Sequence, residues 1–240
     1  MPDVTTKRTS SVGAEKSQRE PLTRGRIIRA ALKIMDEEGL EALSMRRIGR
    51  ALGVEAMSLY NHVRDKEDIL DSICEEVLTE FHVPDEESWD EQVRLGAREY
   101  RRLLLAHPNV LTLMSERKSP MTNPGSLRAY EFGLEVFGKA GLSTLDAMKA
   151  FHAFGGYILG YVTMELGTMV GGPDDEEHAR AHQEMARVLE TADLPCLRET
   201  LPHMMELDVE EQFEFGLDLL VEGIRARISA NRRTAPAPFR

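Results

Sequence analysis

Apolar positions recur at three- and four-residue spacing along almost the whole chain, which predicts an all-α protein. From Thr23 onward, Ile27, Ala30, Ala31, Ile34 and Met35 share one helical face until Gly39 supplies a stop. Ser44 then caps a short helix carrying Ile48 and Leu52, closed by Gly53, and a second short helix runs from about Ala56 to His62. Asp65 caps a longer helix with Ile69, Ile73, Val77 and Leu78 on its apolar side, and Pro84 prevents its continuation. Further helices are predicted over Trp89–Ala106, as one turn from Pro108, and near 125–140, 143–169, 174–192 and 208–228. They are separated by "ERKSPMTNPGS", Gly141, "GGPDDEE" and a proline-broken stretch after residue 192. No segment alternates with the period of two that a half-buried strand requires, and there is no internal repeat.

Residues 1–21 are polar and aperiodic and read as a mobile arm, and "NRRTAPAPFR" reads as a disordered tail. The helical text between them divides into a compact unit over 22–67 and a larger one over 68–228, with the tail taken as 229–240.

Charge changes the picture more than composition does. The formal net charge is −11, yet residues 22–66 hold nine Lys/Arg against six Asp/Glu. A basic front on an acidic body is the asymmetry expected where one end meets a polyanion. No apolar run reaches the roughly 18 residues of a membrane span, and the N-terminal text lacks the apolar core of a secretory signal. Cys74 and Cys196 are too few and too distant for a disulfide framework or a thiolate zinc site. A cytoplasmic protein with no membrane partner, no metal and no cofactor is therefore expected.

The basic residues concentrate in "SMRRIGRALGVEAMSLYNHVRDKEDIL". Two helices of two or three turns cannot persist alone in water, so they must lean on neighbouring apolar faces. Short helix, glycine turn and second short helix form the helix-turn-helix pattern. In the second helix Leu59 is placed to face inward, leaving Ala56, Met57, Ser58, Tyr60, Asn61 and His62 free. No Asp or Glu lies between Ala56 and His62, although the chain holds 41 acidic residues. Small and planar hydrogen-bonding side chains without negative charge suit a helix that enters the major groove.

Here "AALKIMDEEGLEALSMRRIGRALGVEAMSLYNHVRDKEDILDSI" resembles the DNA-binding domain of TetR-family transcriptional repressors. In "DEESW", "LLLAHP", "KAGLSTLDAM" and "GGYILGYV" the later text resembles the ligand-binding half of tetracycline-binding members. The resemblance implies an N-terminal three-helix DNA-binding domain and a larger helical domain that senses a small effector and dimerises. It implies a homodimer on a palindromic operator in double-stranded DNA, formed through 143–169 and 208–228 as a four-helix bundle. Arg46 falls on the position that reaches a base edge. Ala56, Met57 and Ser58 fall at the start of the reading helix, Tyr60, Asn61 and His62 on groove-wall and phosphate contacts, and Lys66 on a phosphate clamp. Met45, Ala56, Met57 and Asn61 depart from the tetracycline-binding pattern, so the operator should differ too. His82, Tyr100, Met114, Arg117 and Met164 fall on effector-cavity positions. Met114 stands where a metal-coordinating histidine would be and Met164 where a glutamate would be, and a thioether is a poor ligand for hard Mg²⁺. Gly96 and Gly133 replace polar anchors with nothing. A mostly apolar effector, rather than a tetracycline–magnesium chelate, is thus expected to release the operator.

Two other classes of function fit the text less well. "HARAH" places His178 and His182 four apart on one helix face, the seed of a metal-dependent enzyme, but without the glutamate of the zinc-protease pattern and in acidic surroundings. A helical protein-interaction module would have no need of an acid-free reading helix.

Overall fold

The computed structural model describes residues 20–85, 88–116, 124–167, 176–204 and 207–234, and every regular element among them is helical. In chain order these are α1 (Arg24–Glu38), a 3-10 turn (Leu40–Ala42), α2 (Met45–Leu52), α3 (Ala56–Leu59), α4 (Lys66–Thr79) and α5 (Trp89–Ala106). There follow α6 (Pro108–Glu116), α7 (Pro124–Lys139), α8 (Thr144–Leu166), α9 (Glu176–Thr191), α10 (Pro195–Met204) and α11 (Val209–Thr234). The arm expected over 1–21 falls almost wholly outside the described residues.

The helix starts follow from side chains that satisfy orphan backbone donors. Thr23 accepts from the Arg26 N–H at 3.3 Å, Ser44 from Arg47 at 3.2 Å, Asp65 from Asp68 at 2.8 Å and Ser143 from Asp146 at 3.2 Å. Gly39 (φ 86°), Gly53 (φ 68°) and Gly141 (φ 96°) supply the left-handed turns that end α1, α2 and the α7 segment.

Four elements differ from the sequence pattern, the first being α6, which runs nine residues from Pro108 where a single turn is expected. The α3 helix stops at Leu59 rather than His62, because the chain must turn to bury Val63 and bring Asp65 to the next N-terminus. The proline-broken stretch forms α10: Pro195 opens it where a missing N–H costs nothing, and Pro202 lies in its last turns. The tail expected from 229 is helical to Thr234, since Ile228 is buried and no breaker precedes Pro236.

Two apolar cores are built in sequence order. The first joins α1 to α4 through Ile27, Met35, Ile48, Leu59, Ile69 and Ile73, and continues into Leu103, Val110 and Leu113 of α5 and α6. The second joins α5, α7, α8 and α11 through Ala97, Phe137, Phe154, Ile158, Phe213 and Leu217. Met114 packs against both. The first core does not end at the boundary expected at residue 67 but runs on through α4. In the larger body, Tyr157 and Tyr161 of α8 donate to the Phe213 and Val209 carbonyls at 2.7 and 2.6 Å. Arg101 of α5 forks onto Glu165 of α8 at 2.9 Å, bonds Glu210 of α11, and lies 4.7 Å over the Phe213 ring.

The first core is closed by a buried carboxylate. Asp68 accepts two bonds from the Arg24 guanidinium at 2.8 Å and one from the Arg64 N–H at 2.9 Å. The same guanidinium donates to the His62 carbonyl at 3.2 Å and to Ser72 at 2.7 Å. The start of α1, the turn after α3 and the first turn of α4 thus share one charge pair. The Arg24 bonds hold the Asp68 carboxyl far below the usual carboxylate range.

Asp68→Asn is expected to lower stability by about 2 kcal/mol at neutral pH. That is less than the 3–5 kcal/mol typical of breaking a fully buried pair, because Arg24 is 46% exposed. A depressed carboxylate stabilises fully above its unfolded pKa of about 3.9 and loses that contribution as pH falls toward the folded value. Urea titrations should therefore show an acid-side loss below about pH 4 in the wild type that is smaller in the variant. Gly49 offers a second test. A Cβ there would lie 2.9 Å from the Val54 carbonyl and 3.2 Å from the Ala56 nitrogen, backbone that cannot step aside. Gly49→Ala is expected to cost about 1–3 kcal/mol by forcing α2 and α3 apart, read as a lowered urea midpoint with unchanged slope.

Candidate nucleic-acid interface and effector cavity

The α2–α3 corner is shaped by few atoms. Gly53 turns the chain, the Val54 N–H bonds the Gly49 carbonyl at 2.9 Å, and Gly49 lets the two backbones meet. Leu59 is the only fully buried residue of α3, an anchor of about 2 kcal/mol. Its neighbours turn outward: Met57 is 75% and Tyr60 47% exposed, Asn61 and His62 are exposed, and Ala56 and Ser58 are half-buried. Arg46 stands exposed on α2 and Lys66 half-buried at the first position of α4, neither with an ion-pair partner among the described residues. Arg47 is different: it grips Glu38 at the end of α1 with a 3.0 Å bond and a second, shorter one, holding that carboxyl below its ordinary range. Arg50 is exposed beside them and reaches Glu38 only by longer-range attraction. The predicted set Arg46, Ala56, Met57, Ser58, Tyr60, Asn61, His62 and Lys66 lies at the N-terminal corner of the molecule, with Arg50 exposed beside it and Arg47 tied to Glu38.

A cavity of about 370 Å³ opens in the larger body. Leu78 and Phe81 close it from the end of α4, Ala97 and Tyr100 from α5, and Met114 from α6. Tyr130, Phe132 and Phe137 line it from α7, and Phe151, Phe154 and Ile158 from α8. The rings pack on one another: Phe81 meets Phe132 edge-on at 5.5 Å, Tyr130 meets Phe151 at 4.2 Å and Phe137 meets Phe154 at 5.3 Å. Polar groups are scarce. The Tyr130 hydroxyl lies 3.2 Å from the His152 Nε2, and burial pushes the Tyr100 phenol up to about 12.

Of the predicted effector positions, Tyr100 and Met114 line this cavity. His82 does not: α4 has ended, so successive side chains diverge, and Phe81 takes the wall while His82 faces solvent. Met164 is 38% exposed and lies outside the lining, in register with Met148 and Gly160 on the solvent stripe of α8. Arg117 lies outside the described residues. Gly96 and Gly133 are not mere deletions of anchors. Cβ atoms there would lie 3.0 Å from the Phe132 ring and 2.3 Å from the Phe151 ring, so each glycine seats an aromatic side chain. The sequence reading missed those rings, although Tyr130, Gly133 and Phe137, like Phe151, Phe154 and Ile158, recur at helical spacing.

The metal seed of the sequence is otherwise engaged. His182 bonds the Leu201 carbonyl at 2.8 Å, joining α9 to α10, and the side chain of His178 lies outside the described residues. Among the described residues no helix is long and apolar enough to cross a membrane.

Comparison with known proteins agrees with this anatomy. The family model of bacterial regulatory proteins, tetR family, matches residues 27–73, and that of the tetracyclin repressor-like C-terminal domain matches residues 83–228. An HTH-type transcriptional regulator of Saccharopolyspora erythraea is 34% identical over 88% of this chain and 89% of its own length. The class D tetracycline repressor protein of Escherichia coli is 29% identical over 87% of this chain and 92% of its own. Among solved structures, ActR of Streptomyces coelicolor in complex with actinorhodin superposes with a TM-score of 0.73 at 28% identity, covering 87% of this chain and 99% of that one. With both halves matched, the chain belongs to the tetR family of bacterial regulatory proteins.

Proposed function

We propose that the protein is a transcriptional repressor that binds a palindromic operator as a homodimer and is released by a small, mostly apolar effector, and that it has no catalytic role. DNA reading is assigned to residues 22–67 and sensing and dimerisation to 68–228, in the cytoplasm. The observation that carries this reading is the course of α4. Its first turn is clamped to the α3 turn through Asp68, and its far end delivers Leu78 and Phe81 to the cavity wall. An effector that changes the packing there acts on the helix that aims the reading corner, provided it binds the released state more tightly.

Dimerisation is supported by what α8 and α11 leave uncovered. Leu145 and Met148 of α8, and Phe215 and Leu219 of α11, are large apolar side chains between 38 and 67% exposed, at helical spacing. On the same helices Gly160 and Gly223 leave open space where side chains would stand, which permits close helix approach. One reading helix covers too few base pairs for operator selectivity, and a second copy supplies the other half-site.

Selection of bound duplexes from a random library should yield a palindrome whose half-sites lie about 34–36 Å apart or a multiple of that. Arg46→Ala is expected to weaken the selected site by about 1–3 kcal/mol and to relax preference at one base position in each half. Lys66→Ala should weaken every sequence alike and lower the salt slope by about one phosphate contact. A chain that sediments as a monomer at micromolar concentration and enriches no duplex would overturn the reading.

A further inference from the structure

Met57 is the most exposed large apolar side chain among the described residues, at 75%. The other described methionines are at most 38% exposed, and Met35, Met45 and Met114 pack in or against the first core, whereas Met57 belongs to neither core. A single exposed apolar residue is ordinary on a protein surface, so its position is what matters. It is the second residue of α3, two before the buried anchor Leu59, and on a helix that sets the two side chains about 200° apart. Arg46, Arg50 and Lys66 stand at the same corner without ion-pair partners among the described residues. Glu55, the acid nearest in sequence, is exposed just before the helix and makes no side-chain cap bond. A polyanion seated on these cations, with α3 in its major groove, therefore meets the Met57 side chain at its base edges.

The chemistry of those edges is selective toward a thioether. Ser58, Tyr60, Asn61 and His62 can exchange hydrogen bonds with bases, but the sulfur of Met57 is only a weak acceptor. Major-groove edges carry ring-nitrogen and oxygen acceptors and amino donors, and one apolar group, the C5-methyl of thymine. Over any other edge Met57 would cover a polar atom and leave it unpaired, which is costly. Over a C5-methyl, two apolar surfaces leave water together. The unbranched side chain can adjust to such a methyl while Leu59 and the clamped turn hold the α3 backbone in place.

Resting on the reading of α3 as the groove-entering helix, we propose that Met57 reads a pyrimidine C5-methyl group. Each half-site of the operator then carries a thymine, or a 5-methylcytosine in its place, under this side chain.

The test uses the full chain and the duplex selected from a random library, with binding followed by fluorescence anisotropy. Thymines are replaced one position at a time, in both half-sites, by uracil, which keeps every hydrogen-bonding group and lacks only the methyl. At one position the replacement should weaken the wild type about fourfold per half-site, the worth of one buried methyl-sized group. In Met57→Ala that replacement should change nothing, while Met57→Leu should keep the sensitivity. At the same position 5-methylcytosine should bind the wild type more tightly than cytosine by about the same factor, and Met57→Ala should not distinguish the two. Because Met57 packs in neither core, both variants should keep the wild-type urea midpoint. Uracil tolerated at every position, uracil penalties that all survive in Met57→Ala, or a methyl gain for thymine but not for cytosine would overturn the proposal. Failure of the repressor reading looks different: no duplex is enriched at all, and this proposal falls with it. An enriched operator indifferent to C5-methyl groups counts against the methyl reading alone.

Discussion

The buried Asp68 carboxylate is the point on which the reading corner hangs. A four-residue helix has almost no stability of its own, and α3 is held by one buried leucine and by the turn that follows it. That turn is fixed at the His62 carbonyl and the Arg64 N–H, both tied to the Arg24–Asp68 pair. Because Arg24 belongs to the first turn of α1 and Asp68 to the first turn of α4, two long helices brace a short one at a single place. An acidic residue in the most basic segment of the chain is therefore no contradiction. It is consumed inside the structure, and the outer face of α3 stays free of negative charge.

From that brace α4 runs 14 residues, or about 21 Å at the usual helical rise, to the cavity. It is packed on both sides. Ile69, Ile73 and Val77 face the first core, while Leu78 reaches the cavity wall. Met114 of α6 touches both cores and lines the cavity as well. Close-packed interiors transmit displacement rather than absorb it. The α6 helix is fastened to α1 too, by His107 against Asp36 at 2.9 Å and by Asn109 donating to the Met35 carbonyl at 2.9 Å. Two packed connections, α4 and α6, thus run from the cavity to the first core, α4 reaching the turn after α3 and α6 reaching α1.

Much of this was legible in the residues. The caps Ser44 and Asp65 and the turns at Gly39, Gly53 and Gly141 act locally, so the sequence announces them, and the same local rule accounts for Thr23 and Ser143 in the structure. The inward Leu59 and its exposed neighbours follow from helical period alone. What escaped depends on partners far along the chain. Arg46, Arg47 and Arg50 look equivalent in the text, and only the approach of Glu38 singles out Arg47. Gly96 and Gly133 read as absences until Phe132 and Phe151 are seen occupying the space. His82 and Phe81 exchange roles because α4 ends two residues earlier, a boundary that periodicity places only loosely. Position along a resemblance carried Tyr100 and Met114 to the cavity, but it could not say which way a side chain turns beyond a helix end.

The charge asymmetry gains a physical meaning once the ion pairs are placed. Many acidic residues of the large body are spent in holding its helices together. Arg101 joins Glu165 and Glu210, Arg98 joins Glu214 at 2.7 Å, Arg94 joins Asp218 and Arg225 joins Asp90. These pairs cross-link α5, α8 and α11 but neutralise only part of a surplus that gives the whole chain a charge of −11. A net negative charge of this size disfavours a polyanion on the body as a whole, while Arg46, Arg50 and Lys66 stand at the α2–α3 corner without ion-pair partners among the described residues. Repulsion elsewhere and attraction at one end orient the approach before any base is touched, which favours productive encounters and discourages adhesion through the body. An acidic protein that binds DNA is thus self-consistent: the excess negative charge disfavours contact through the body, and a few uncommitted cations mark the reading corner.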